Sequence, residues 1–125
     1  MRLDGVLLYV RDLQRSIDFY KAILRINEID RPSDEFAIVR TTGAVIYLHQ
    51  DSAPVSVRLE EMNSRPRRGI GTILHFAVEN VDEWAAHCKA SGYPIDLEPT
   101  SQPFGRRQCY IYDPDGYNIV IEHTL

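Results

Sequence analysis

The sequence predicts an α+β fold in a single domain of 125 residues, built from two βαβββ modules. The first observation is a repeated order of elements: a strand, a helix and three strands occupy residues 1–50, and the same order returns over 70–125. The second is that residues 43–49 can be overlaid on residues 116–122 without a gap. An internal repeat indicates two copies of one supersecondary unit. Two such units, related by a pseudo-twofold axis, would enclose a barrel-like cavity.

The first module follows from its hydrophobic pattern. Residues 6–10 are apolar and predict a strand, and Asp12 is placed to cap the helix that follows. Apolar residues at helical spacing mark the buried face of this helix: Leu13, Ile17, Tyr20 and Leu24. Three strands are predicted next, at 26–30, 35–40 and 44–49, with turns at 32–34 and 42–43.

The second module has the same elements. Residues 72–79 predict a strand, and Asn80 with Glu83 three residues later forms the capping-box pattern of a helix start. Gly92 ends this helix. Its apolar stripe is Val81, Trp84, Ala85 and Cys88. The last strands are predicted at 95–98, 107–112 and 117–122, with an Asp-Pro-Asp-Gly turn at 113–116.

Residues 51–69 are predicted to connect the two modules, with a short helix around residues 59–62. Three arginines follow that helix closely: Arg65, Arg67 and Arg68. We expect them in a solvent-exposed loop. The alternative is a clamp for an anionic ligand, because guanidinium groups match carboxylates and phosphates.

Charge and hydropathy narrow the possible partners. The net charge of -4 gives no bulk attraction to nucleic acid, and no apolar run approaches the roughly 20 residues that cross a bilayer. The first residues lack the apolar core of a signal peptide, so we expect a cytoplasmic protein without nucleic-acid or membrane partners. In that compartment Cys88 and Cys109 are expected as buried, reduced thiols rather than a redox pair or a nucleophile.

Residues 10–20, together with residues 105–107 and 113–116, resemble the vicinal oxygen chelate superfamily. This group includes glyoxalase I, extradiol dioxygenases, fosfomycin resistance enzymes and bleomycin resistance proteins, and residues 10–20 are most similar to bacterial glyoxalase I. The resemblance covers nearly the whole chain except the connection. It implies a small-molecule ligand and a homodimer, sometimes with modules exchanged between chains. It does not fix the activity, because the superfamily includes isomerases, dioxygenases, transferases and binding proteins.

The resemblance places the four metal ligands of the superfamily on Gly5, Tyr47, Ile73 and Val120. Three of these side chains offer no metal-binding atom, and tyrosine rarely serves there. We therefore expect no metal at the usual positions and no glyoxalase I reaction, which needs a metal to polarise its intermediate. Arg25 stands where the superfamily usually has a helix-ending glycine, which implies a different local turn.

Three polar residues lie two positions beyond these empty sites, on the same strand faces: His49, His75 and Glu122. Two histidines and a carboxylate form a known iron(II) oxygenase set, so one interpretation is a shifted site for Fe, Zn, Ni or Mn. A second is that they line the mouth of a ligand pocket, and a third is that each has a separate structural role. Without a metal, His75 and Glu122 would be candidate catalytic bases, provided that burial brings their pKa values near 7.

Aromatic residues are predicted on the same strand faces as these three polar residues. The resemblance places Tyr110 on an active-site position of the fosfomycin-resistance branch, and Gln108 and Tyr112 have the same parity. With Tyr47, these tyrosines would form aromatic walls with a hydroxyl tip, or they fill the interior of a small barrel. Either Arg106 or Arg107 reaches the ligand, or both lie in solvent. His87 is expected to be exposed, and His123 to face away from the cavity.

These observations favour a metal-free small-molecule binding protein. Its predicted pocket is lined by Tyr47, His49, His75, Tyr110, Tyr112 and Glu122. The alternative is a metal-dependent lyase, isomerase or ring-cleaving dioxygenase that uses the shifted triad. The sequence leaves open whether the protein is an enzyme.

Overall fold

The computed structural model describes residues 1–52 and 59–125. These divide into two units, Met1–Arg65 and Pro66–Leu125. Each unit contains one βαβββ module, which confirms the predicted α+β fold and order of elements. The strands form two separate four-stranded sheets, so the described ranges contain no closed barrel.

The first unit contains one sheet, one long helix and one short helix. Its elements are β1 (Gly5–Val10), α1 (Leu13–Ala22), β2 (Ile29–Ser33), β3 (Phe36–Arg40), β4 (Val45–Gln50) and α2 (Leu59–Asn63). The strand order is β1-β4-β3-β2, with β1 parallel to β4 and the other pairs antiparallel. The short helix α2 confirms the prediction around residues 59–62, and the rest of the predicted connection up to residue 58 lies largely outside the described residues.

The second unit repeats this topology. Its elements are β5 (Ile73–Ala77), α3 (Val81–Ala90), β6 (Leu97–Ser101), β7 (Arg106–Tyr112) and β8 (Asn118–Thr124), in the order β5-β8-β7-β6. The two parallel pairs have the same register, since Leu8 lies opposite Leu48 and Phe76 lies opposite Ile121. This equivalence is what the gapless overlay of the two halves predicts.

Helix α1 packs on one face of its sheet through a stripe that differs slightly from the prediction. Asp12 caps the helix as expected, because its carboxylate accepts a hydrogen bond from the Arg15 backbone N–H at 3.0 Å. The buried residues are Leu13, Ser16, Phe19 and Tyr20, whereas the predicted Ile17 and Leu24 are only half-buried. The two large aromatic side chains therefore define the buried face.

Helix α3 packs through the stripe that the sequence predicts, with Val81, Trp84, Ala85 and Cys88 all buried. Asn80 caps it by accepting from the Glu83 N–H at 3.1 Å, and Gly92 follows its end at φ 72°. Cys88 and Cys109 are buried free thiols in this core, which confirms the expected packing role. Burial raises the pKa of both thiols, for Cys109 to about 12, so both are protonated at neutral pH.

The edge strands β2 and β6 lie about three residues later than predicted. Each contains a proline: Pro32 in β2, where we expected a turn, and Pro99 in β6. The register of both strands shifts around that proline. An edge strand tolerates proline because one row of its backbone groups has no neighbour to pair with.

The second unit begins earlier than the predicted module because the arginine segment docks on it. The backbone N–H of Arg68 donates to the carbonyl of Asp115 at 3.1 Å, in the Asp-Pro-Asp-Gly turn. Arg65 and Arg67 are exposed as expected, but Arg68 is 3% exposed. The prediction of a solvent-exposed loop is therefore wrong for Arg68.

Arg25 keeps the backbone conformation that glycine favours at this place, with φ 57°, so the different turn that we expected is not found. A left-handed conformation strains any residue that has a Cβ. We expect Arg25→Gly to raise the free energy of unfolding by about 1 kcal/mol, measured by urea denaturation. The control is Gly92→Ala after α3. This substitution should lower the free energy of unfolding by about 1 kcal/mol, because Gly92 also has a positive φ. Equal stability of Arg25→Gly and wild type would contradict the expectation.

Candidate functional site

Helix α1 packs on one face of the first sheet and α3 on one face of the second. The opposite face of each sheet carries no helix among the described residues, and we call it the helix-free face. In the second unit, Glu122 lies on this face, directly opposite Gln108, and Val120 lies opposite both Tyr110 and His75. The alternating pattern of strands puts these side chains on one side of the sheet. Most of the predicted site residues of this unit therefore share a face.

Glu122 is the centre of a hydrogen-bonded cluster on this face. Its Oε2 accepts from Gln108 Nε2 at 2.7 Å, and its Oε1 accepts from Arg106 Nη1 at 3.2 Å and pairs with His75 Nδ1 at 3.2 Å. Gln108 Oε1 in turn accepts from the Tyr110 hydroxyl at 3.2 Å. We call these five residues the Glu122 cluster.

The surroundings of Glu122 keep it ionised. Glu122 is 8% exposed, and this burial by itself would raise its pKa. The hydrogen bonds from Gln108 and His75, and the charges of His75 and Arg106, outweigh burial and lower the pKa below its usual value. The condition for base chemistry by Glu122, a pKa near 7, is therefore not met.

The carboxylate also fixes the orientation of His75. An ionised carboxylate only accepts hydrogen bonds, so Nδ1 of His75 is the donor. In the neutral ring this leaves Nε2 as an acceptor. The His75 side chain is 53% exposed, so this nitrogen lies on an accessible part of the cluster.

In the first unit, Tyr47 and His49 belong to an aromatic cluster on the helix-free face. The Tyr47 ring stacks on Phe36 at 5.8 Å between centroids, and its hydroxyl donates to Asp4 Oδ2 at 3.1 Å, which raises the Tyr47 pKa. The His49 ring lies 5.5 Å from Tyr9 and 6.1 Å from Phe36. Tyr9 and Phe36 were not predicted from the sequence as site residues, although both lie in strands and alternate with buried residues.

A family model relates the sequence to known proteins. The model of the glyoxalase/bleomycin resistance protein/dioxygenase superfamily matches residues 2–121. The chain belongs to this superfamily. The protein YwbC of Bacillus subtilis (strain 168), itself uncharacterised, is 31% identical over 121 residues, which cover 92% of this chain and 91% of YwbC.

Solved structures of other proteins share the fold. A glyoxalase/bleomycin resistance protein/dioxygenase family enzyme from Burkholderia phytofirmans matches with a TM-score of 0.79 at 23% identity, over all of both chains. The virulence protein STM3117 from Salmonella typhimurium matches at 0.77 with 24% identity, over 100% of this chain and 98% of its own. TioX from Micromonospora sp. matches at 0.74 with 21% identity, over 97% and 98%. At these identities the likeness shows the fold.

The residues at the usual metal positions of the superfamily do not fit a divalent cation. A side chain at Gly5 would collide with the Val45 carbonyl and come within 3.0 Å of the Tyr47 ring. The Tyr47 hydroxyl is bonded to Asp4, and Ile73 and Val120 offer no donor atom. In the first unit, the Tyr47 ring therefore occupies the space that a side chain at position 5 would need.

The shifted triad divides between the two units. His75 and Glu122 are in contact in the second unit, while His49 in the first unit has Nδ1 at 2.7 Å from the Gln50 carbonyl. Among residues 1–52 and 59–125, no three His, Cys, Asp or Glu side chains are grouped as a metal site. A metal held by the triad stays a prediction.

The remaining predicted residues have diverse surroundings. His123 faces the helix side as expected, because its Nδ1 accepts from the Val81 N–H at 3.0 Å. His87, expected to be exposed, is half-buried because it faces partly inward on α3. Tyr112 is half-buried, with the Arg67 guanidinium 4.4 Å above its ring centre. Arg107 is held by Asp82 at 2.7 Å and does not join the cluster.

In the part of the chain that the structure describes, no helix has the length and apolar character to cross a bilayer.

Proposed function

We propose that this protein binds a small molecule on the helix-free face of its second sheet and needs no metal at the usual positions of the superfamily. Proteins of this superfamily typically bind small-molecule ligands. The observation that carries the proposal is the Glu122 cluster, in which one ionised carboxylate holds His75 and Arg106 side by side.

The role of Glu122 in this proposal is to position its neighbours. Its lowered pKa makes it a weak proton acceptor at neutral pH. Its two oxygens bind Gln108, Arg106 and His75, which restricts the rotamers of all three side chains. Donors held in place before binding lose less entropy when a ligand arrives.

The exposed parts of the cluster indicate the chemistry of the ligand. The Arg106 side chain is 44% exposed and has further N–H donors besides the one on Glu122. Guanidinium groups bind carboxylates well, and the half-buried Tyr110 adds an aromatic surface next to them. An aromatic carboxylate has both matching groups, a carboxylate for Arg106 and a ring for Tyr110.

The test measures binding of 4-hydroxybenzoate to the untagged protein by calorimetry, with uncharged 4-hydroxybenzamide as the matched compound. We expect 4-hydroxybenzoate to bind at least about tenfold more tightly than 4-hydroxybenzamide. Arg106→Ala or His75→Ala should each raise the Kd for 4-hydroxybenzoate about tenfold. His87→Ala on α3 is the control and should bind as wild type. Equal binding of both compounds, or unchanged binding by Arg106→Ala and His75→Ala, would contradict the proposal.

Elemental analysis of the same protein tests the metal-free part. One transition metal per chain that is lost in His75→Ala would contradict it and support the metal-dependent lyase, isomerase or dioxygenase. We also infer from the resemblance that the protein is a homodimer. Light scattering on the eluting protein tests the dimer, and a monomeric mass at micromolar concentration would count against it.

A second candidate is a metal-free enzyme with His75 as general base. It is supported by the His75–Glu122 pair, which leaves Nε2 as the acceptor on an exposed ring. Turnover of hemithioacetals or catechols would be lost in His75→Ala and reduced in Glu122→Gln, which removes the negative charge behind the ring. Equal turnover by wild type and His75→Ala would exclude this candidate.

A further inference from the structure

The second unit contains a pocket of about 200 Å³ at the start of β5. It is lined by Arg67, Arg68, Gly69, Ile70, Gly71, Thr72, Ile73, Gly116 and Asn118. Asn118 precedes Glu122 by four residues in β8, which corresponds to about 13 Å along the strand. The pocket is therefore separate from the Glu122 cluster, and we call it the Arg67–Asn118 pocket.

Arg67 is held at the rim of this pocket. Its guanidinium lies 4.4 Å above the centre of the Tyr112 ring, where a cation is attracted by the ring. Gly116, at φ 90°, permits this approach, because a Cβ there would lie 2.7 Å from both Cβ and Cγ of Arg67. The exposed arginine therefore has a defined position before any ligand binds.

Asn118 supplies a polar group of the opposite kind. Its Oδ1 is buried, and among the described residues no protein donor lies within hydrogen-bonding distance of it. Asn118 is paired with Ile73 on one side and Tyr112 on the other, so its side chain shares their face of the sheet. Buried carbonyl oxygens are nearly always hydrogen-bonded, so an N–H or O–H group in the pocket would satisfy this one.

Besides Arg68 and Thr72, the lining contains apolar residues, and the volume is small. Ile70 is 58% exposed and Ile73 is 44% exposed, which gives the pocket two aliphatic side chains that a ligand would cover. Pockets for drug-sized ligands are roughly 300–1,000 Å³. A pocket of about 200 Å³ fits a smaller molecule.

We propose that the Arg67–Asn118 pocket binds a small carboxylate that carries an N–H or O–H donor beside its acid group. The carboxylate binds the Arg67 guanidinium, the donor binds Asn118 Oδ1, and an aliphatic part covers Ile70 and Ile73. This site uses none of the residues of the Glu122 cluster, so it stands whether or not the proposed function holds.

The experiment titrates ¹⁵N-labelled protein with N-acetylglycine, which has a carboxylate, one N–H donor and a methyl group. Its matched compounds are N-acetylsarcosine, which lacks the N–H, and N-acetylglycinamide, which lacks the charge. We expect N-acetylglycine to shift the backbone amide signals of Gly69, Gly71 and Gly116. Both matched compounds should bind about tenfold more weakly, since each loses one polar contact.

Variants then locate the binding. Arg67→Gln and Asn118→Ala should each weaken N-acetylglycine at least about tenfold, while Arg65→Gln, an exposed neighbour outside the lining, should not. Arg67 is exposed, so its variant keeps the test valid even if Asn118→Ala fails to fold. No shift at the three glycines, equal shifts with all three compounds, or unchanged binding by Arg67→Gln would each overturn the proposal. His75→Ala should leave this binding unchanged, which separates it from the proposed function.

Discussion

Gly5→His is expected to lower the free energy of unfolding by about 3 kcal/mol and to create no metal site. The substitution puts a metal-binding side chain at a position where the resemblance implies a metal ligand. In this protein a Cβ on residue 5 would collide with the Val45 carbonyl and come within 3.0 Å of the Tyr47 ring. The backbone oxygen cannot move without breaking the parallel pairing of β1 with β4.

The control for this prediction is Leu7→His, two residues further along the same strand and on the same face. Leu7 is 42% exposed, so this variant should differ from wild type by less than about 0.5 kcal/mol. Urea denaturation gives both values, and metal content is measured on the same samples. A Gly5→His protein with wild-type stability and bound metal would show that the Tyr47 ring does not block the position.

Glu122→Ala is expected to lower the free energy of unfolding by about 2–3 kcal/mol at pH 7. It removes the acceptor of three donors, and one of them, on the 3% exposed Gln108, is too buried to find water instead. The other two, His75 and Arg106, are exposed enough to be hydrated. His123→Ala on the opposite face of β8 removes a single acceptor, for the Val81 N–H, and should have a smaller effect.

The ionisation of Glu122 also predicts a pH dependence. Its pKa is lower in the folded protein than in the unfolded chain, where it is about 4.3. The resulting stabilisation is fully present above the unfolded pKa and is lost as the pH falls through the folded pKa. Wild type should therefore lose more stability than Glu122→Gln between pH 6 and pH 3. If the free energy of unfolding fell equally with pH in both proteins, the ionised form of Glu122 would not stabilise the fold.

Much of the fold could be predicted because its signals are local. Capping residues such as Asp12 and Asn80, and apolar spacing near 3.6 or 2, depend only on neighbours in the chain. The overlay of the halves also predicted that residues 43–49 and 116–122 occupy equivalent places in the two modules. The bounds of β2 were wrong because Pro32 was interpreted as a turn signal, and whether a proline is tolerated depends on the position of its strand in the sheet.

The site could be predicted only in part. Strand parity put His75 and Glu122 on one face, and their contact agrees with this. That Gln108 and Arg106 complete the cluster depends on the antiparallel register of β7 and β8, which the sequence does not encode locally. The docking of Arg67 on Tyr112 and the burial of Arg68 depend on tertiary packing in the same way, so a charged run resembled an ordinary solvated loop.

The two prolines in the edge strands also limit how copies of this protein can assemble. A further strand cannot form a continuous hydrogen-bond ladder along an edge that lacks an amide N–H and changes register, as β2 does at Pro32 and β6 at Pro99. The opposite edges, β1 and β5, contain no proline. Pro32 and Pro99 therefore make β2 and β6 poor edges for pairing with a further strand, whereas β1 and β5 carry no such interruption.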